Sequence, residues 1–341
     1  MKPLVSILIP AFNAREWLTD TLRSALAQTW PRKEIIVVDD GSTDQTLEIA
    51  RRFGSPGVSV ISQKNQGAAA ARNTAFSLSQ GDYIQWLDAD DLLSPTKIEK
   101  QMDLLDQVRS TRTLVSSAWG RFIYRYHRAE FVPTALWRDL SPAEWLLLKL
   151  GQNLHMQPAT WLVSRELTEG AGPWNIGLAT DDDGEYFCRI LLASDGIRFA
   201  PDAKVYYRAS GSHGVSYVGR SDRKLEAQWR SMQLHIGYLR SLEDSPRVRA
   251  ACVRYLHNWS PHFYPDRPDI MAHAERVARD LGGRLELPRL SWKYSWIEPV
   301  LGRGPAKRAQ LLLPRIRWSL QSLWDRTLFR LEHRTLARDL E

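Results

Sequence analysis

The sequence predicts an α/β protein: a mostly parallel sheet flanked by helices, followed by a mainly α-helical region. Three observations carry this. Short apolar runs recur early, at Leu4–Pro10, Glu34–Asp40, Val58–Ile61 and Tyr83–Leu87, each the length of a buried strand. Helical patterns alternate with them, as in a parallel sheet whose crossovers are helices. After about residue 215 the strand signals fade, and helical segments separated by proline and glycine take over.

The first run, Leu4 to Pro10, is stopped by proline. Ala11-Phe12-Asn13 turns into a helix over Glu16 to Gln28, with Trp17, Leu18, Leu22, Ala25 and Leu26 on one face. Glu34 to Asp40 ends in two acids, and Gly41-Ser42-Thr43-Asp44 then supplies cap chemistry for a helix through Arg52. After Val58–Ile61, Asn65-Gln66-Gly67 turns into an alanine-rich helix, Ala68 to Leu78. Tyr83 to Leu87 follows, and a helix opens at Ser94-Pro95, with Ser94 as cap and Pro95 in the first turn. Leu114 to Tyr126 reads as strand material interrupted near Trp119-Gly120, Ser141-Pro142 opens a helix over Ala143 to Leu150, and Thr160 to Val163 reads as a strand. Gly170 to Gly177 is a loop, exposed by its glycine content, that leads through Asp181-Asp182-Asp183-Gly184-Glu185 into a helix from Tyr186 to Ala193. Val205 to Arg208 is the last strand of the first region.

Composition is that of a globular chain, 43% hydrophobic and 25% charged over 341 residues. Net charge is +7 but unevenly placed: residues 1–215 hold 23 Lys/Arg against 25 Asp/Glu, and residues 216–341 hold 23 against 14. The basic half calls for an anionic partner or a solvated arginine-rich surface. Two cysteines, Cys188 and Cys252, exclude a disulfide framework and a cysteine metal cluster, and fit a cytoplasmic setting. The apolar run at the N-terminus is too short for a secretion signal. No stretch reaches the roughly 18 apolar residues of a bilayer span.

Chemistry concentrates where the fourth strand ends, at Asp88-Ala89-Asp90-Asp91. In an open parallel sheet, ligands sit outside the carboxyl ends of strands. Clustered carboxylates there are costly unless a cation or donors neutralise them, and hard divalent ions take oxygen ligands. A metal holding a diphosphate and a solvated aspartate-rich turn are the two readings. Pro10-Ala11-Phe12-Asn13 stands where a dinucleotide-binding Gly-x-Gly-x-x-Gly would be, and no P-loop motif is present.

Four segments then act together: Val5 to Asn13, Ile36 to Asp44, Asn65-Gln66-Gly67 with Ala71-Arg72-Asn73, and Gly81-Asp82-Tyr83 with Leu87 to Asp91. In that order and spacing they resemble a family 2 glycosyltransferase of the GT-A fold, strongly over residues 3–110 and weakly over 111–215. The resemblance implies metal-dependent, inverting transfer of a sugar from a nucleotide diphosphate sugar, of UDP or GDP type. It implies that Pro10, Phe12 and Asn13 line the nucleotide pocket, that Asp39 and Asp40 meet base and ribose, and that Gly67 permits close approach. Arg72 would lie near the diphosphate or donor sugar. Asp88 and Asp90 form the Asp-x-Asp, with Asp90 the direct ligand of Mn²⁺ or Mg²⁺. The expected division is a catalytic domain over 1–215, with a nucleotide-sugar half (1–110) and an acceptor half (111–215), then a helical basic region over 216–341.

One-step inversion needs a base for the acceptor hydroxyl. The family places it in an acidic pair opening a helix. Asp182-Asp183-Gly184-Glu185, with Arg189 beyond, matches that pattern, giving Asp183 as the base and Asp182 as second choice. The resemblance also implies a His or Ser near the metal after Tyr207-Arg208, where His213 is the candidate. Trp174 is read as stacking on an acceptor sugar or simply packing, the acceptor role first, and Asn73 as making a hydrogen bond inside its own helix. Residues 306–341 alternate arginines with Leu, Ile, Trp and Phe, a basic amphipathic pattern able to lie in a membrane interface or to dock on the catalytic domain. The expected acceptor is a glycan, polysaccharide or lipid-linked saccharide, with peripheral contact at the inner face of the membrane and no nucleic acid. The rivals are a non-catalytic sugar-nucleotide or glycan-binding protein on the same fold, and a sugar nucleotidyltransferase.

Overall fold

The computed structural model describes residues 1–209, 221–286 and 317–332, with positions 299 and 302. Strand β1 (Val5–Ala11) lies at the middle of a five-stranded sheet, with Val5, Ile7, Leu8 and Ile9 removed from solvent. It pairs in parallel with β2 (Lys33–Asp39) on one side and with β4 (Tyr83–Trp86) on the other. β3 (Val58–Ser62) extends the β2 side in parallel, and the short β8 (Val163–Ser164) closes the β4 side antiparallel. The order is therefore β3-β2-β1-β4-β8. Chain order reverses between β1 and β4, which opens a crevice at their carboxyl ends. Helices α1 (Leu18–Leu26), α2 (Thr46–Arg52) and α3 (Ala68–Leu78) make the crossovers.

A second sheet has the order β5-β9-β6-β7. Its strands are β5 (Leu92–Leu93), β6 (Thr113–Phe122), β7 (Glu130–Phe131) and β9 (Gly196–Arg208). β6 and β9 run parallel, with a register shift between Ser117 and Ala118. β6 continues through Trp119-Gly120, so the expected interruption there is corrected: the irregularity falls one residue earlier and Gly120 stays paired. Phe131 fills the space over Gly120, where a Cβ would lie 2.6 Å from its ring.

Helix α4 (Lys97–Val108) starts two residues later than expected. Ser94 does not cap it: its hydroxyl accepts from the Lys204 amide and its carbonyl from Gln28. α5 (Pro142–Gln152) opens as expected, with Ser141 Oγ accepting from the Glu144 amide at 3.3 Å. α6 (Arg165–Ala171) absorbs Gly170, and α7 (Asp182–Ala193) begins four residues before the expected start, so the acids form its first turn.

Beyond residue 220 come α8 (Asp222–Leu242), α9 (Pro246–Phe263) and α10 (Pro268–Asp280). Leu225, Trp229, Met232, Cys252 and Leu256 share one apolar core with Leu146 and Leu150 of α5 and Cys188 and Leu191 of α7. A last helix, α11, covers 317–332. Asp325 accepts from the Tyr124 amide at 2.9 Å and Arg125 Nε at 2.7 Å, and Glu332 from Arg125 Nη1 at 2.9 Å. That face is docked, while Leu320, Leu323 and Trp324 on the other are 63%, 63% and 66% exposed. Lys307, Arg308, Arg315, Arg334 and Arg338 lie outside the described residues. Among the described residues no helix is long and apolar enough to cross a membrane.

Candidate active site

The carboxyl ends of β1 and β2 make one rim of the crevice. β1 continues through Pro10, which was expected to stop it, to Ala11, and Phe12 beyond it is half exposed. Asn13 adopts a left-handed backbone, φ 49°, a conformation asparagine tolerates better than most residues. Its Oδ1 accepts from the Thr43 amide at 2.9 Å and its own amide donates to Ser42 Oγ at 2.9 Å, tying the two turns together. Asp39 is buried. One of its oxygens accepts from Ser62 Oγ at 3.1 Å and the other finds no donor among the described residues. Asp40 is differently engaged: its oxygens accept from Gln63 Nε2 and from the amides of Gln66 and Gly67, at 2.8, 3.0 and 2.8 Å. It thereby holds the turn into α3, where Gly67 takes φ 94°, a value that strains any side chain.

The second rim is acidic. Arg72 of α3 is buried, and its Nη2 donates to Asp88 at 2.7 Å while Nη1 donates to Asp182 at 2.8 Å. Burial works against its charge, but the two carboxylates outweigh that and hold the guanidinium protonated. One side chain thus joins the acids after β4 to the acids that open α7. Asp90 is half-buried, and burial, then the charge of Asp88, pushes its pKa up to about 7 against the opposing pull of Arg208. Asp91 is fully buried. It accepts from the Arg208 amide at 2.8 Å, and its second oxygen has no donor. Arg208 also donates to the Asp90 carbonyl and lies over the rings of Trp17 and Phe122.

At the start of α7 the three acids differ. Asp181, φ 55°, accepts from Ser231 Oγ at 2.6 Å and Gln228 Nε2 at 3.1 Å, both from α8. Asp182 is ion-paired to Arg72, and burial leaves its pKa at about 6. Asp183 makes no hydrogen bond through its carboxylate among the described residues, and burial followed by Asp181 raises its proton affinity. Glu185 is spent structurally: it grips Arg189 at 2.8 and 2.9 Å and accepts from Tyr238 Oη at 2.7 Å. Arg189 in turn donates to the carbonyls of Ala171 and Pro173, fixing the loop before the acids.

Two expectations are corrected here. Trp174 is only 2% exposed. It stacks on Tyr186 at 4.0 Å and 11°, meets Trp86 edge-on at 5.1 Å, and carries the Arg72 guanidinium over its face at 4.3 Å. It is a core residue that supports Arg72, not a free platform for a sugar. Asn73 does not bond within its helix: its side-chain amide donates to the Trp174 carbonyl at 3.0 Å and accepts from the Trp174 amide at 2.8 Å. His213 lies outside the described residues. Asp181, Gln228 and Ser231 went unrecognised as supports of the site, because the link is to a helix about fifty residues away and no local spacing encodes it.

The donor set suits a hard divalent cation: Asp88 and Asp90 offer oxygens, they repel each other's negative charge, and Asp91 adds an orphaned buried oxygen. Among the described residues no three His, Cys, Asp or Glu side chains form a cage, so such an ion would complete its shell with ligand or water oxygens, as Mg²⁺ commonly does.

A Rossmann-like sheet with paired acids at the switch point and a second acid group facing them defines the GT-A class of sugar-nucleotide folds. Residues 6–169, just under half of the chain, match the family model described as glycosyl transferase family 2. An uncharacterized glycosyltransferase of Rickettsia felis is 26% identical over 308 residues, covering 88% of this chain and 50% of its own. The chain thus spans half the length of this relative. Chondroitin synthase of Escherichia coli is 47% identical over 103 residues, 30% of this chain and 15% of that one. Among solved structures, S. aureus TarS 1–349 aligns with a TM-score of 0.62 at 18% identity, over 82% of this chain and 80% of that one. The same protein in complex with UDP-GlcNAc gives 0.57 at 19% identity, over 82% and 89%. These likenesses establish the fold.

Proposed function

We propose that this chain is an inverting glycosyltransferase that moves a sugar from a UDP- or GDP-type donor to a glycan, polysaccharide or lipid-linked saccharide. The observation that carries the reading is Arg72, which draws Asp88 and Asp182 to one point and leaves the adjacent Asp183 uncommitted. Phe12 and Asn13 form the edge of the nucleotide pocket, Asp39 offers its free oxygen to base or ribose, and Asp40 with Gly67 shapes the turn beside them. Asp88 and Asp90 would hold Mn²⁺ or Mg²⁺, which supplies charge neutralisation of the departing diphosphate. Asp183 accepts the proton of the attacking hydroxyl, and its raised proton affinity suits a base working near neutral pH. Asp182 orients Arg72 and is not free to do that work. The UDP-GlcNAc complex of the TarS fold relative favours UDP among donors. Residues 1–215 would carry the catalytic machinery, and residues 216–341 a helical basic region that supports α7 and meets the inner face of the membrane peripherally through α11.

A thermal-shift screen of UDP, GDP, dTDP and CDP, each with Mn²⁺, Mg²⁺ or EDTA, tests the donor site. A ligand at 100 times its Kd adds about 2.7 kcal/mol. Metal-dependent stabilisation by one nucleotide, lost in Asp90→Ala, is the expected result. No stabilisation by any nucleotide would refute the reading.

A further inference from the structure

The acceptor side of the crevice contains an aromatic wall and an arginine, Arg121, that no acid claims among the described residues. Trp119 and Arg121 are two residues apart on β6 and so share one face of the sheet. Arg121 stands opposite Tyr207 of β9 in the strand register. The Trp119 ring meets Tyr207 edge-on at 5.8 Å and tilts against the exposed His155 at 5.2 Å. Its indole N–H is buried and finds no acceptor among the described residues. Tyr207 stands beside the acids after β4: the next residue, Arg208, donates its amide to Asp91 at 2.8 Å and its Nε to the Asp90 carbonyl at 2.9 Å, and the charges of Asp91, Asp90, Asp88 and Asp183 reach the Tyr207 hydroxyl. The wall therefore adjoins both the candidate metal acids and the candidate base.

Arg121 is exposed and has no carboxylate partner among the described residues, whereas neighbouring Arg125 is held by Asp325 and Glu332. Lys149 is nearly buried on α5 and acts on Asp183 and His155. A neutral acceptor would not need Arg121. An anionic one could not approach four carboxylates without a compensating charge nearby.

We propose that Trp119, His155 and Tyr207 form the acceptor subsite, and that Arg121 selects an acceptor saccharide bearing a negative group, carboxylate or phosphate, close to the hydroxyl that is glycosylated. The apolar face of a sugar ring packs on the aromatic wall, and the guanidinium pairs with the anionic group in fork geometry. The proposal rests on the glycosyltransferase reading and specifies its acceptor.

The test uses the full chain, with and without Mn²⁺ and UDP, and three tetrasaccharide probes on one backbone: neutral, uronate-bearing and 6-phosphorylated. At least one charged probe should bind about 10-fold more tightly than the neutral one, the value of one charge-assisted hydrogen bond. Whichever charged probe wins identifies the anionic group. Arg121→Gln should bring all three within about 2-fold of one another while leaving UDP and neutral-probe binding unchanged. Equal binding of neutral and charged probes, a preference that survives Arg121→Gln, or failure to bind any saccharide would overturn the proposal. Failure to bind any nucleotide counts against the transferase reading instead, and the charge preference is still read on the nucleotide-free protein.

Discussion

Asp182 and Asp183 are adjacent in sequence and opposite in circumstance. Asp182 is tied to a buried guanidinium, and Asp183 is tied to nothing among the described residues. Asp183→Asn keeps the shape and removes the proton acceptor, so transfer should fall about 10²- to 10⁴-fold while nucleotide binding, measured by thermal shift, stays unchanged. An active Asp183→Asn enzyme would dismiss the assignment. Asp90 gives a test through pH. Burial and the charge of Asp88 push its pKa up to about 7 from the ordinary carboxylate value of 3.8, so the folded state holds its proton more tightly than the unfolded chain. Below the unfolded value there is no penalty. As pH rises toward 7 the penalty grows, and above 7 it is complete. Asp90→Asn, measured without metal, should therefore raise Tm at pH 8 and leave it unchanged at pH 4. In a chain of this size 1 kcal/mol moves Tm by about 2 °C, and an equal shift at both pH values would contradict the assignment. At this scale the sequence was a fair guide: acids behind apolar strands, and a helix-opening acid group, located most of the candidate site. It was silent on which carboxylate would be neutralised by which cation, because the partners of Arg72 stand 16 and 110 residues away.

The helices α3, α7 and α8 act together. α3 supplies Arg72 and Asn73, α7 the acids, and α8 the donors that hold Asp181. Gly184 sits where α7 meets α8: a Cβ there would lie 2.1 Å from Asp181 Oδ1 and 3.2 Å from His235 Cε1. Alanine gains about 1 kcal/mol in helix propensity, but relieving the clash means dislodging a carboxylate held by Ser231 and Gln228, and overpacking costs about 1–3 kcal/mol. Gly184→Ala should thus lower Tm despite the better helix former, and a Tm at or above wild type would refute the packing argument. The central strands β1 and β2 were legible from apolar runs because both of their faces are buried. Trp174 was not: a glycine-rich stretch reads as exposed, yet the Asn73 clamp and the Arg189 contacts fold it inward. The early start of α7 was also hidden, since aspartates signal a cap as readily as a first turn.

Across the whole molecule, α11 combines a docked face with an outward one. Leu320, Leu323 and Trp324 face solvent beside Arg317 and Arg330, while its acids Asp325 and Glu332 are occupied by Arg125. What remains for solvent is apolar and basic, the combination that partitions to anionic lipid. Vesicles containing phosphatidylglycerol should therefore bind the protein in a salt-sensitive manner. Leu320→Ser with Trp324→Ser should weaken that binding roughly 100-fold, with nucleotide binding intact. Equal flotation of wild type and variant would exclude the contact. The basic amphipathic pattern was plain in the sequence, but the choice between docking and exposure was not, because a helix can do both on opposite faces. Arg72 has a consequence on this scale as well. A single cation divided between Asp88 and Asp182 makes the two sides of the crevice thermodynamically linked. A ligand that relieves Asp88 of its charge leaves the guanidinium to Asp182. By reciprocity, whatever engages Asp182 changes the hold on Asp88 by the same free energy. If the proposed donor and acceptor sides are these two rims, occupancy of either changes affinity on the other by the same factor, through one shared guanidinium.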